Sequence, residues 1–361
     1  VGRPDHGGGG VTGQESAALT ELGPCEVWDR EVLERRAKEV IPPVSSPDPW
    51  TWDDSALTKC LYASVVNSSG YVPEKLAGIG TYPRLAHFYA GTFSKMVTEL
   101  KRRGCKVCYT AAAHDVVASR QAHEELGVPY NYSHLTDPAL WARYVRGYLE
   151  ADVLVCPSTH SANVMRGFGA KNRIEVIPHG TVISDEVKPL PERFTVGALG
   201  AIGGPDKGLI YLLQAWKKLN YPDATLLLAG SHSATPWVRS LIEHFGGGNI
   251  TVLGWVDRVR DFYDRISVLV QPSVSEGFGL EVLESLAHGR PALCSTGAGA
   301  ADVVSEAWRF SPCDVDGLAE KIDWSRKHYR TAASFVREDA ALYSWDEIRE
   351  RYKALWRSLL S

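Results

Sequence analysis

The 361-residue sequence has no uninterrupted apolar stretch of about 18 residues, so it offers no candidate membrane-spanning helix. It also has little excess of either charge: the formal net charge of -4 supplies no global pull toward nucleic acid or an anionic membrane. No apolar run follows the opening Val1-Gly2-Arg3-Pro4, so no signal peptide is expected, and the missing initiating Met reads as a trimmed or incomplete N-terminus. Seven cysteines, an odd number scattered along the chain, exclude a complete disulfide framework and point to a reducing, cytoplasmic compartment. One Cys-x-x-Cys occurs at Cys105 and Cys108, but no second ligand pair accompanies it, as a zinc site requires. Buried thiols at the start of a strand are the favoured reading, and no metal or other cofactor is expected. Nor is there a solenoid-type repeat.

What the sequence does contain is ordinary globular material, 44% hydrophobic and 23% charged, long enough for about two domains. Short apolar runs alternate with amphipathic stretches, the pattern of repeated strand–helix units with parallel sheets. The expected strands are 106–110, 153–156, 174–177, 195–199, 224–228, 251–253, 268–271 and 292–294. Several are unbroken Val/Leu/Ile runs, as expected where helices cover both faces. Helices are expected at 14–22, 31–40, 88–103, 209–219, 317–322 and 345–359, and a Pro/Ser/Trp-rich loop at 41–54.

Pro189 and Pro191, in the polar stretch 184–193, mark the domain boundary. The fold class is therefore α/β, with two Rossmann-like domains facing a cleft: residues 1–188, residues 189–343, and a last helix, 344–361, packing back toward the first domain. Ligands of such sheets bind at the carboxyl ends of the strands.

The most informative stretch runs from Gln271 to Glu284 (QPSVSEGFGLEVLE). A strand ends, a glycine loop follows, and a helix begins near Gly279, with Leu280, Leu283 and Ala287 on its buried face. The helix N-terminus offers free N–H groups and the positive end of a dipole, while Gly277 and Gly279 allow close approach of a ligand, which together make a phosphate cradle. Glu276 lies before the helix and Glu284 further along it. Carboxylates beside a phosphate repel it unless they hold something else, and sugar hydroxyls fit that role. Glu281, in the first turn, is read as dipole complementation. Lys207 follows another glycine-rich loop and precedes the helix 209–219; taken alone it reads as a surface lysine. The glycine run ending at Gly10 is either a cleft loop or a flexible tail.

Glu276 and Glu284 resemble the E-x7-E motif of glycosyltransferase family 4, in its usual PS..EGFGL context. The resemblance extends to Ala151–Ser158 (ADVLVCPS), 174–180 (IEVIPHG, with His179 in place of the usual Asn), the Gly200…Lys207-Gly208 segment, Ala287–Pro291 and Ser344-Trp345; the first hundred residues match loosely. It implies the GT-B architecture and a retaining, metal-independent hexosyltransferase. The donor would be a UDP- or GDP-linked sugar, and the acceptor hydroxyl would belong to a saccharide, a lipid-linked carrier or a small molecule. By position it implies that Glu284 holds the ribose and Glu276 the donor sugar. Gly277 and the amides of Phe278, Gly279 and Leu280 would bind the diphosphate or the sugar, with Lys207 neutralising the diphosphate. His114 and Gly299 would lie near the transferred sugar. The family's usual Arg, six positions before this Lys, is replaced here by Ala201, with Arg166 and Arg173 as candidate substitutes.

Other readings are weaker. The G-x-x-G-x-x-G of Gly197–Gly203 lacks the dinucleotide spacing and the following acid. Asp314-Val315-Asp316 has the spacing of a metal clasp, yet sits where helix-capping acids are ordinary. A sugar-nucleotide epimerase, a glycoside phosphorylase and a decayed nucleotide-sugar-binding protein remain alternatives on similar folds. Lys95, Lys101, Arg102, Arg103 and Lys106 form a basic patch that suits a membrane surface or an anionic acceptor, though a solvated helix end is favoured. Trp50, Trp52, Tyr82 and Trp141 are aromatics able to stack on sugars, though large aromatics are more often core.

Overall fold

The computed structural model describes residues 84–89, 94–113, 115–128 and 147–361. The expectations for 14–22, 31–40, 41–54, Gly10, His114 and the four aromatics lie outside them.

Among the described residues, the first sheet has four parallel strands in the order β1-β2-β3-β4: β1 (Leu85–Tyr89), β2 (Lys106–Thr110), β3 (Val153–Cys156) and β4 (Arg173–Val176). Helix α1 (Ser94–Arg102) links β1 to β2, α2 (Val116–Glu125) follows β2, and α3 (Thr159–Gly167) follows β3. All four residues of β3 are buried, which explains its alternation-free VLVC sequence. The expected helix over 88–103 is corrected here. Phe88 belongs to β1, and the helix starts only at Ser94, because the apolar residues LAHFY pair in parallel with β2.

The second sheet is six-stranded and parallel, in the order β10-β9-β8-β5-β6-β7. Its strands are β5 (Phe194–Leu199), β6 (Ala224–Ala229), β7 (Ile250–Gly254), β8 (Val268–Gln271), β9 (Ala292–Ser295) and β10 (Arg309–Phe310). The helices between them are α4 (Leu209–Leu219), α5 (Pro236–Phe245), α6 (Val259–Tyr263) and α7 (Leu280–Ala287), with α8 (Val315–Ala333) and α9 (Val336–Ala341) after β10. The chain winds outward from β5 to β7, returns to β8, and winds outward the other way. The order therefore reverses between β5 and β8, and the loops leaving those two strands flank the crevice where open α/β sheets take their ligands. One core, built on β5, β6 and β8 with α4, α7 and α8, supports both loops.

The stretch 184–193 is fastened to the elements around the second sheet. The buried Arg290 guanidinium donates to the carbonyls of Lys188 (2.9 Å) and Pro189 (3.2 Å), and Arg337 donates to that of Ser184 at 2.6 Å. The last helix, α10 (Trp345–Leu360), is capped by Ser344 and crosses to the first sheet. There Ile348, Tyr352, Leu355 and Trp356 pack on Cys108, Val153, Val155 and Ile177. Each large apolar side chain so buried contributes about 1.5–3 kcal/mol, which holds the last helix on the first sheet.

Candidate active site

The glycine loop forms where β8 ends at Gln271. The Gln271 side chain donates to Ser273 Oγ at 3.1 Å, and the loop turns into α7 through Gly279, whose φ of +98° suits glycine. Val274 N–H donates to the Asp206 carbonyl at 2.8 Å, tying this loop to the 3-10 turn Pro205–Lys207 after β5. The loop after β9 supports it from the other side: Gly299 N–H donates to the Glu276 carbonyl (3.0 Å) and Ala300 N–H to that of Phe278 (2.7 Å). Val282 N–H returns to the Gly279 carbonyl at 3.2 Å, and the N–H groups that start α7 before it lie at this junction, where a helix supplies no carbonyl for them.

The first domain closes over the same loop. Ser158 and Ser161, at the start of α3, both donate to the Gly277 carbonyl, at 2.9 and 3.2 Å. Asp115 N–H donates to Ser275 Oγ at 2.7 Å, and Thr159 N–H to Asp302 Oδ2 at 2.6 Å. A Cβ on Gly277 would sit 2.6 Å from the Ala112 carbonyl oxygen, and one on Gly299 would overlap Gly277 O and Ser158 Oγ. Both glycines thus permit the two domains to touch, a requirement beyond the ligand approach expected for Gly277.

The charged groups lie along this junction. Lys207 forms an ion pair with Glu276. Burial by itself lowers the proton affinity of the Lys207 ammonium, but the carboxylates of Glu276, Glu281 and Asp206 outweigh it and hold the group charged. Glu284 accepts from the buried Tyr263 hydroxyl at 2.8 Å. Burial raises the Glu284 carboxyl above its usual range, while the Tyr263 bond and His288 oppose that rise. His288 stacks on Tyr263 with ring centroids 4.9 Å apart. His179 meets the Phe278 ring edge-on at 5.1 Å, and burial pushes its imidazole down to about 4, so it is neutral beside Glu276 at neutral pH.

Residues 193–326 match the family described as Glycosyl transferases group 1. Sucrose-phosphate synthase from Thermosynechococcus elongatus superposes with a TM-score of 0.68 at 20% identity, over 96% of this chain and 92% of that one. The fold is GT-B. A second GT-B neighbour, Anabaena HepE solved in complex with UDP, gives 0.62 at 17% identity, over 80% of this chain and 82% of its own. Among curated relatives, sulfoquinovosyl transferase SQD2 of Arabidopsis thaliana is 27% identical over 278 residues, 67% of this chain and 53% of that protein. Uncharacterized glycosyltransferase MJ1607 of Methanocaldococcus jannaschii is 31% identical over 157 residues, 39% of each chain. The chain therefore spans about half the length of these relatives, or less.

Within the GT-B cleft, the structure brings together Lys207, Glu276, Gly277, Phe278, Gly279, Leu280, Glu284 and Gly299. His114 and Gly10 lie outside the described residues. Neither candidate for the missing Arg reaches the cradle. Arg166 sits at the far end of α3 from Ser158 and donates to Asn163, while Arg173 opens β4 at its N-terminal end, paired with Glu175 at 2.6 Å. Among the described residues, the cation at the cradle is Lys207. Sequence reasoning missed the full role of Glu281: its carboxylate reaches across to Gly200, beyond simple dipole complementation. It also missed Tyr263, Ser158 and Ser161, whose parts depend on elements far away in sequence. Cys105 and Cys108 join separate clusters on the two sides of the first sheet, so they cannot clasp one ion together. Asp314 caps α8 by accepting from Gly317 N–H at 2.9 Å, and Asp316 pairs with Lys218.

Proposed function

We propose that the chain is a retaining, metal-independent glycosyltransferase of family 4 type, moving a hexosyl group from a UDP- or GDP-linked donor to an acceptor hydroxyl. The observation that carries the reading is the convergence at one strand-order reversal of a helix N-terminus, one cation and two differently partnered glutamates. The diphosphate sits on the amides of Phe278, Gly279 and Leu280 and draws Lys207 away from Glu276. Lys207 then balances the charge that grows on the departing nucleoside diphosphate, which is electrostatic stabilisation of the transition state. Glu276, released from its ion pair, accepts from hydroxyls of the transferred sugar. Glu284, with one oxygen held by Tyr263, presents the other to the ribose diol.

The acceptor enters from the first domain. Its class is a saccharide, a lipid-linked carrier or a small molecule. Contacts of Ser158 and Ser161 with Gly277 couple closure of the cleft to the shape of the cradle. The reaction runs in the cytoplasm, with peripheral membrane contact if the acceptor is lipid-linked. Titration calorimetry with UDP and with GDP, on wild type and Glu284→Ala, tests the reading. One nucleotide binds and the variant loses at least tenfold in affinity. Binding of neither, or equal binding to the variant, overturns it.

A further inference from the structure

Glu281 is the group at the cradle whose charge works against the ligand assigned there. It lies in the first turn of α7, and its carboxylate reaches across the strand-order reversal to within 2.6 Å of where a Cβ on Gly200 would be. It lines a narrow pocket with Ala201, Ile202, Lys207, Gln271 and Ser273, bounded by the loops leaving β5 and β8. Among the described residues, the groups facing it are Lys207 from the turn after β5, Glu276 from the loop after β8, Glu284 on its own helix, Tyr263 from α6 and Cys294 from β9, with Asp206 acting in turn on Lys207. Burial holds Tyr263 and Cys294 in their neutral forms. One ammonium thus answers several carboxylates before any phosphate arrives.

The pocket itself has room for about one water (≈ 10 Å³), so a diphosphate held on the adjoining N–H groups of α7 lies at its mouth and adds negative charge beside Glu281. The repulsion is relieved if Glu281 gains a proton, and the resulting O–H turns a repelling acceptor into a hydrogen-bond donor. We infer that Glu281 enters the donor complex as a neutral carboxylic acid, donating its O–H to a phosphate oxygen, so that binding takes up one proton. This rests on the nucleotide-sugar reading of the same site. The proton comes from solvent, and no covalent bond to carbon changes in the binding step. Glu281 is already poised for it, since burial and then Glu276 push its carboxyl up to about 7, against the smaller opposing effect of Lys207. At Ala201, a small apolar side chain leaves the pocket without a second cation. The carboxylic acid supplies there a donor that is present only when protonated.

The test is calorimetric titration of the full chain with UDP-glucose and with GDP-mannose, whose diphosphate esters carry no proton that titrates near neutrality. It is run at pH 5.5 and pH 8, in pairs of buffers differing in ionisation enthalpy. At pH 8 the binding probe takes up close to one proton per site, at pH 5.5 close to none, and affinity falls roughly tenfold per unit above pH 7. Glu281→Gln keeps a neutral donor of similar size, and with it both the uptake and the pH dependence disappear. Binding at pH 8 without proton uptake overturns the inference, as does uptake that persists in Glu281→Gln. Either result leaves the nucleotide-sugar reading standing. Failure of both probes, and of UDP and GDP, to bind wild type at either pH overturns both. If the variant does not fold, the proton count on wild type decides by itself.

Discussion

Tyr263→Phe is the substitution that isolates how the cradle orients Glu284. The Tyr263 hydroxyl donates to Glu284 Oε2 at 2.8 Å and reaches the Glu281 carbonyl at 3.2 Å. Phe keeps the ring, and with it the stacking on His288 and the burial against Phe262. What is lost is a hydrogen bond to a carboxylate, which contributes about 1.5–3 kcal/mol, and a buried carboxylate oxygen is left unsatisfied. Without the hydroxyl, one of the forces opposing the upward push of burial on Glu284 is gone, so its carboxyl moves further toward the neutral form. A neutral, freely rotating Glu284 is a poorer acceptor for a diol. Urea unfolding should show a loss of about 1–3 kcal/mol with an unchanged slope. Calorimetry at pH 7 should show a nucleotide affinity lower by roughly 10- to 100-fold, the same energy expressed as binding. The affinity deficit should grow as pH is lowered, because protonation then competes more strongly with ligand. Lost stability with unchanged affinity refutes the reasoning, since Tyr263 would then support the fold without orienting Glu284.

Other substitutions probe the neighbouring features. Glu281→Gln should stabilise the chain at pH 8 more than at pH 5. A carboxyl that titrates near 7 when folded and at its ordinary 4.5 when unfolded binds its extra proton in the native state between those values, so native stability falls as pH rises. The penalty reaches about 3 kcal/mol above pH 7, and equal urea midpoint shifts at the two pH values would contradict this. Ser158→Ala removes one of two donors to the Gly277 carbonyl and the cap that accepts from Ser161 N–H, and should cost about 1–3 kcal/mol in urea unfolding, with only a modest fall in nucleotide affinity because Ser161 still holds Gly277. A large fall in affinity would show that Ser158 acts on the ligand site itself. Gly277→Ala forces a methyl to within 2.6 Å of the Ala112 carbonyl. The cleft should therefore open, with a larger radius of gyration by X-ray scattering; an unchanged radius would refute the close approach.

Much of this was legible in the amino-acid order. The runs VLVC, FTVGAL and VLVQ announce strands covered on both faces, and the loop from Gln271 to Gly279 announces a helix N-terminus open to an anion. Two strands were not legible. Arg309–Phe310 is too short to show a period, and Leu85–Tyr89 runs into the amphipathic pattern of the helix behind it. The role of Glu281 is hidden because its first-turn position already has a sufficient local explanation, and only the neighbouring strand's loop brings Gly200 and Lys207 against it. Gly277 reads as a ligand-approach glycine for the same reason: the Ala112 carbonyl that crowds it lies in another domain. Local chemistry fixes the cradle, whereas tertiary packing decides what else faces it.

The most direct measurement is release of nucleoside diphosphate from a panel of UDP- and GDP-linked sugars, in wild type and Glu276→Ala, alongside nucleotide affinity. Removing Glu276 frees Lys207 for the diphosphate, so nucleotide affinity should hold or rise. Turnover should fall by 100-fold or more, about 2.7 kcal/mol of lost transition-state stabilisation. Undiminished turnover in the variant, or no turnover of any donor by wild type, would contradict sugar transfer at this site.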